Sequence, residues 1–210
     1  GDSVHFIVVG PIYYGYSESI VRVLREGGHT VDFFAERPFY TNCSYLSRRL
    51  YKWGCRSLEI RWEEDWRRDC ITFMRACMHT DSVLLCLTGR MISDDILDLW
   101  AEHPTALMMW DSVRRYDMDF RQRMRRYQYV FAFEYTDIAY AAQMFQVRMT
   151  YLPLGYDPSV YYPKEGARDI DVSFIGTVMP HRVEVLERVA EHLSNNMMRL
   201  YVGGRWYDNR

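Results

Sequence analysis

Short, almost continuous apolar runs alternate along this chain with stretches whose apolar residues recur every three or four positions. Runs of the first kind read as strands buried on both faces of a parallel sheet, and the second kind read as amphipathic helices. Val4–Val9 is an apolar run stopped by Gly10-Pro11. Ser17 supplies an N-cap for a helix beginning at Glu18, with Ile20, Val21, Val23 and Leu24 on one side and Gly27-Gly28 as its stop. His29–Ala35 is the second strand. Strand, helix and strand thus fit within about 35 residues, the size of a βαβ unit.

Residues 41–79 carry no strand signal. From Leu58 the positions Trp62, Trp66, Cys70, Phe73, Met74 and Cys77 form one helical stripe, and this spacing assigns the tryptophans to core packing rather than to a ligand platform. Ser82–Leu87 is a strand ended by Thr88-Gly89, and Ser93 caps a helix bearing Ile96, Leu97, Leu99 and Trp100. Ala106–Trp110 is a strand ending in Asp111-Ser112, followed by a basic helix around Met118–Arg126. Tyr129–Phe133 is a strand, Thr136 or Asp137 caps a helix through Met144, and Val147–Leu152 is the sixth strand.

A crossing follows, marked by Pro153, Gly155, Asp157-Pro158 and Pro163, and then a polar linker, Lys164–Asp169. Asp171–Ile175, Val183–Leu193 and Met198–Val202 read as strand, helix and strand, closed by Gly203-Gly204. The alternation predicts an α/β chain: a Rossmann-like parallel sheet flanked by helices, with an incomplete second α/β domain. The expected bounds are 1–155 for the first domain, 156–169 for the crossing and 170–210 for the start of the second. Three elements cannot cover both faces of a sheet, so the expectation is a fragment of a longer protein.

Composition narrows the function classes. The chain has 210 residues, 49% of them hydrophobic, and a formal net charge of −2, which gives no global reason to invoke nucleic acid or a membrane surface. Only Lys52 and Lys164 are lysines, leaving 24 arginines among 26 basic residues. Arginine suits bidentate contacts to phosphate and carboxylate, although a codon bias of the source genome accounts for the excess equally well. The cysteines number five, an odd count with no C-x-x-C pair, so neither a disulfide framework nor a zinc site is indicated. Cys70, Cys77 and Cys86 sit among apolar residues as buried thiols would, so a reducing, cytoplasmic setting is expected. No charged-then-apolar leader and no apolar run long enough to span a bilayer is seen.

In an open parallel sheet, ligands bind beyond the carboxyl ends of the strands. Three such places carry chemistry. The first is Gly10–Ser19, where Gly10, Pro11, Tyr14, Gly15 and Tyr16 precede a helix N-terminus able to receive an anion or a sugar hydroxyl. The GxGxxG spacing is lacking, so Glu36 near the second strand's end does not make a dinucleotide site; a plain tight turn is the competing reading. The second is Asp111, a candidate general base for an acceptor hydroxyl, or simply a turn cap beside Ser112. Glu134 repeats the arrangement one strand along, while Asp137 reads as a helix N-cap. The third is Gly176–Arg182, where Gly176 and Thr177 precede a helix start and Arg182, aided by His181, is placed to grip a diphosphate. The basic run Arg114–Tyr127 reads as a solvated helix face, with attraction of an anionic acceptor or membrane headgroups second.

LPLGYDPSVYYP resembles the crossing segment of GT-B glycosyltransferases, commonly I-P-N-G-V-D followed by an aromatic and Pro, with Leu154 in place of the usual Asn. DVSFIGT with Arg182 resembles the opening of their donor domain, and VVGPIYYGYSESIVRVLREGGHTVDFF resembles the start of their acceptor domain. MMWDS, FAFEYTD and the LPL form of the crossing look most like CgeB-like bacterial members. The resemblance implies a sugar moved from a nucleotide-sugar donor to an acceptor hydroxyl in a cleft between two Rossmann-like domains. Gly10 to Tyr16 would line that cleft, Asp111 would activate the acceptor, and Gly176, Thr177 and Arg182 would face the donor diphosphate. Some families have Arg directly after the Gly, where this chain has Thr177. The later carboxylates for donor sugar and ribose fall beyond residue 210, which implies half a donor pocket. No DxD motif sits at a strand end, so no metal and no cofactor is expected besides the nucleotide-sugar co-substrate. The acceptor class, whether glycan, lipid-linked sugar, protein or small molecule, stays open. The competing readings are a non-catalytic flavodoxin-like or response-regulator-like module that binds a partner protein, and an Arg-rich nucleic-acid binder.

Overall fold

The computed structural model of the chain describes residues 2–177, 179–196 and 198–203. They fall into two compact units, 1–157 and 158–210.

The first unit opens with strand β1 (His5–Pro11), helix α1 (Tyr16–Glu26) and strand β2 (Thr30–Glu36). β1 continues through Gly10 and Pro11, which pair in register with Ala35 and Glu36. Both residues therefore lie buried inside the strand rather than in the turn beyond it. Gly10 is required by packing: a Cβ there would sit 2.8 Å from both Leu87 Cβ and Ser17 Oγ. Ser17 does not cap α1. Gly15, in the left-handed region at φ 71°, holds the N-cap position, and the buried Ser17 hydroxyl donates to the Pro11 carbonyl at 2.6 Å.

Three helices follow: α2 (Phe39–Asn42), α3 (Tyr45–Lys52) and the long α4 (Ser57–Cys77). The stripe of α4 is core as its spacing predicts, with Trp66, Cys70 and Met74 buried. Trp66 Nε1 donates to the Ala35 carbonyl at 2.8 Å and Trp62 Nε1 to the Arg37 carbonyl at 2.6 Å, so the two indoles fasten α4 to the end of β2. The chain then runs through β3 (Val83–Leu87), α5 (Asp94–Leu99), β4 (Thr105–Met108), α6 (Met118–Arg123), β5 (Tyr129–Ala132), α7 (Tyr135–Phe145) and the two-residue β6 (Thr150–Tyr151). Single 3₁₀ turns at Val113–Arg115 and Met124–Arg126 bracket α6, so the basic stretch is broken rather than one helix.

All six strands are parallel in the order β2-β1-β3-β4-β5-β6, which makes the unit a Rossmann-like α/β sheet. Alternate residues of β1 feed two cores, as a pleated strand demands. Ile7 and Val9 join Leu84, Cys86, Leu107 and Val130 under α4, α5, α6 and α7; Val8 joins Val31 and Leu87 under Val21 of α1. With α1 on one face and the later helices on the other, the connections diverge between β1 and β3. That is the topological switch point, where a parallel sheet opens a crevice at its carboxyl edge.

Among the described residues the second unit holds β7 (Val172–Ile175), α8 (Pro180–Asn195) and β8 (Leu200–Gly203), with β7 and β8 parallel. Pro180 sits in the first turn of α8, where its missing N–H costs nothing. Gly204, the second half of the expected Gly-Gly stop, lies outside the described residues. No helix among the described residues is long and apolar enough to cross a membrane.

Candidate functional site

Four chain segments converge at the carboxyl edge beside the switch point: the end of β2, the β1–α1 turn, the β3–α5 turn and the segment after β4. The residue that organises them is Glu36, the last residue of β2 and only 2% exposed. Thr88 Oγ1 donates to Glu36 Oε2 at 2.9 Å, and the Met91 backbone N–H approaches Oε1 at 3.5 Å. Burial raises the Glu36 carboxyl from 4.5 to about 7, against the opposing pull of the Thr88 hydrogen bond and the Arg90 charge.

The backbone that delivers these partners is held in an unusual shape. Thr88 has φ 73° and Gly89 φ 65°, two successive residues in the left-handed region. For a β-branched residue such as Thr88 this is a true outlier, and such strain concentrates where a fold positions a site. Gly89 is needed sterically as well, since a Cβ would lie 2.7 Å from Leu107 Cδ1. The Thr88 amide is anchored to the Met108 carbonyl at 3.0 Å.

Arg90 leaves this turn and donates to Asp111 Oδ2 at 2.6 Å, while Arg115 donates to Asp111 Oδ1 at 2.9 Å. The Arg90 guanidinium also lies 5.1 Å above the Tyr116 ring. Each Asp111 oxygen therefore has one guanidinium partner and one remaining lone pair, so the carboxylate can still accept a substrate hydroxyl. Tyr13, across from this cluster, is raised above its ordinary pKa by partial burial, with the Arg90 charge opposing. Tyr13, Tyr14 and Tyr16 are exposed, and Tyr13 and Tyr16 meet Trp110 edge-on with ring centroids 6.3 and 5.9 Å apart. Tyr14 itself has φ 61° and precedes Gly15, so the turn presents its aromatic rings outward from a constrained backbone. A cavity of about 300 Å³ adjoins Arg90, lined also by Arg67, Arg123, Glu63, Glu64 and Ser93.

The other expected residues are placed as follows. Glu134 is exposed and holds the N-cap position of α7 without a side-chain capping bond. Asp137 is not the cap: it is 2% exposed inside the first turn and accepts from Ser112 Oγ at 2.9 Å, Val113 N at 2.8 Å and Arg114 Nη1 at 2.5 Å. It thereby locks the segment that carries Asp111. The basic run is consumed in the same way. Arg121 donates to the Val113 and Arg114 carbonyls, Arg125 to the Phe145 carbonyl, and Arg126 pairs with Asp94 and Asp98. These arginines fasten loops together rather than forming a free cationic face for an anionic acceptor.

Among the described residues no group of three or more His, Cys, Asp or Glu side chains is gathered to hold a metal. No protein-family model and no curated protein matches the chain. In the second unit, Arg182 Nη1 donates to the Thr177 carbonyl at 2.9 Å and its guanidinium lies 5.9 Å from the Phe174 ring centre. A Cβ at Gly176 would meet Phe174 and Arg182 only at ordinary contact distances, 3.4 and 3.6 Å, and His181 is exposed in the first turn of α8.

The residues missed at the first edge are Arg90, Thr88, Tyr13, Trp110 and Tyr116. Arg90 directly follows the Thr88-Gly89 stop of a strand, the same placement that singles out Asp111 after its own strand. Glu36 is visible at the end of its strand, but the missing glycine spacing points attention away from it.

Proposed function

We propose that the chain is a glycosyltransferase of the GT-B type that uses a nucleotide-sugar donor and passes the sugar to an acceptor hydroxyl. The observation that carries this reading is the Arg90–Asp111–Arg115 cluster beside exposed Tyr13, Tyr14 and Tyr16 and half-buried Trp110 at the sheet's switch point. Aromatic faces with a polar carboxylate among them suit a sugar ring, which offers apolar C–H faces and hydroxyl edges. In this reading Asp111 accepts the proton of the attacking hydroxyl, and Arg90 and Arg115 fix the carboxylate's orientation. Glu134, exposed one strand along, is the second carboxylate within the same edge. On the second unit the donor's leaving diphosphate is received by Gly176, Thr177 and the start of α8, with Arg182 turning from the Thr177 carbonyl to the phosphates and His181 beside it. The resemblance of the crossing Leu152–Pro163 to the GT-B hinge supports the same assignment, and with it a bacterial CgeB-like relationship.

The test is calorimetric titration with uridine, guanosine, thymidine, cytidine and adenosine diphosphates, for the wild type and Arg182→Ala. One of them is expected to bind, and the variant to weaken it by about tenfold, the worth of one charge-assisted contact. Failure of all five to bind, or equal binding by the variant, would remove the assignment.

One observation favours a second reading. The order β2-β1-β3-β4-β5 is that of flavodoxin-like modules, some of which act only by binding another protein. Such a module would leave every nucleoside diphosphate unbound.

A further inference from the structure

Helix α3 is inside out. Its solvent side carries Tyr45, Leu46, Arg49, Leu50 and Trp53, with Tyr45 79%, Leu46 64% and Trp53 71% exposed. At a turn of 100° per residue these five positions fall within one continuous arc. The side facing the protein carries Ser47, Arg48 and Tyr51, and Tyr51 packs against Phe39 with ring centroids 5.5 Å apart. No residue of α3 is buried. Ile60, at the start of α4, and Tyr40 add further exposed apolar surface. A helix that turns its leucines and tryptophan outward needs something to cover them.

The charge pattern says what. From Arg37 to Leu58 the chain holds five basic residues, Arg37, Arg48, Arg49, Lys52 and Arg56, and no acidic one. Glu59 follows and pairs with Arg56 at 3.7 Å, and Arg48 turns toward the protein, so Arg49 and Lys52 are the cations that flank the outward face of α3. Arg49 lies 4.9 Å above the Trp53 ring, joining a cation to the apolar face itself. Two outwardly directed leucines between a tyrosine and a tryptophan, flanked by Arg and Lys, match a bilayer interface: aliphatic side chains enter the acyl boundary, aromatic rings sit at headgroup level, and cations meet anionic phosphates. A second copy of the chain is the poorer occupant, because a two-fold contact would press these like charges together. Nucleic acid is poorer too, since it offers no apolar partner for Leu46 and Leu50. We propose that α3 is an interfacial anchor that seats this protein on an anionic membrane surface. The proposal is independent of the glycosyltransferase reading. The patch lies at the carboxyl end of the sheet, where Trp62 of α4 reaches the carbonyl of Arg37 just past β2.

The test is vesicle flotation with the whole chain, using phosphatidylcholine vesicles with and without about one part in four of phosphatidylglycerol. The wild type is expected to float with the phosphatidylglycerol vesicles, less so at high salt, and weakly or not at all with phosphatidylcholine alone. Leu46→Asp/Leu50→Asp and Arg49→Glu/Lys52→Glu are each expected to weaken binding about tenfold or more while circular dichroism and melting stay unchanged, the altered residues being exposed. The proposal is overturned if the wild type ignores both kinds of vesicle, or if both double variants bind as well as it does. It is equally overturned if the patch instead mediates self-association in sedimentation, or retention of a single-stranded oligonucleotide, without vesicle binding.

Discussion

Replacing Glu36 by Gln keeps the shape of the side chain and its capacity to accept from Thr88 while removing the ionisable group. In the folded protein this carboxyl is raised from 4.5 to about 7 by burial, the largest cause, with Thr88, Met91 and Arg90 opposing. Between these two values the folded chain holds a proton that the unfolded chain has released. Stability therefore falls as pH rises through this window: the contribution is fully present below 4.5 and gone above about 7. A tenfold change in proton affinity is worth about 1.4 kcal/mol, so the wild type should lose roughly 3 kcal/mol relative to Glu36→Gln between about pH 4 and pH 8. Urea unfolding of both proteins at half-unit steps across that range measures it, and subtracting one curve from the other cancels every other titrating group. A difference that stays flat to within about 0.5 kcal/mol would mean that Glu36 ionises alike in both states and that burial does not raise its carboxyl.

Three further substitutions test how the edge is held. Gly10→Ala places a methyl within van der Waals overlap of Leu87 Cβ, which is fixed to its backbone, and of Ser17 Oγ. A loss of about 2 kcal/mol in thermal unfolding is expected, and a neutral result would mean β1 shifts freely. Asp137→Ala strips three donors, Ser112, Val113 and Arg114, of a buried acceptor. It should cost about 3 kcal/mol by denaturant titration, far more than a surface Asp. Asp157→Ala frees the crossing from α1, where Ser19 and Arg22 hold the carboxylate at 2.6 and 2.5 Å. Trypsin is expected to cut after Lys164 and Arg168 faster in this variant with little change in melting, and an unchanged cleavage rate would show that the anchor does not restrain the crossing.

The alternation of apolar runs is enough to read the strands and the α/β class. The runs of β1, β3 and β4 are buried or half-buried on both faces, so composition alone marks them. By contrast β5 turns Tyr129 out to solvent, and the expected sixth strand Val147–Leu152 shrinks to the exposed pair Thr150–Tyr151. The stripe of α4 is legible for a similar reason, because Trp66, Cys70 and Met74 obey one helical period. What escapes are side chains whose partners lie far along the chain. Ser17 and Asp137 are good N-cap types at suitable positions, but each turns to a neighbouring loop, Ser17 to Pro11 and Asp137 to Ser112 and Val113. The arginines of Arg114–Tyr127 read as a solvated face because their carbonyl and carboxylate partners, on Phe145 and Asp94 among others, are distant in sequence. Glu36 escapes because a missing glycine motif excludes one ligand, and that exclusion says nothing about a carboxyl buried against Thr88. Helix α3 leaves no usable signal, since an amphipathic pattern does not reveal which side faces the protein.

In the proposed function Asp111, held between Arg90 and Arg115, activates an acceptor hydroxyl in nucleotide-sugar-dependent transfer. This role is tested most directly by the hydrolytic release of nucleoside diphosphate from a panel of nucleotide sugars, followed with the wild type and with Asp111→Asn. Water is then the acceptor hydroxyl that takes the sugar and gives its proton to Asp111. Release is expected from one donor class, lowered about 10²- to 10⁴-fold in the variant with donor binding intact. Release from no donor, or release at the same rate from Asp111→Asn, would contradict it.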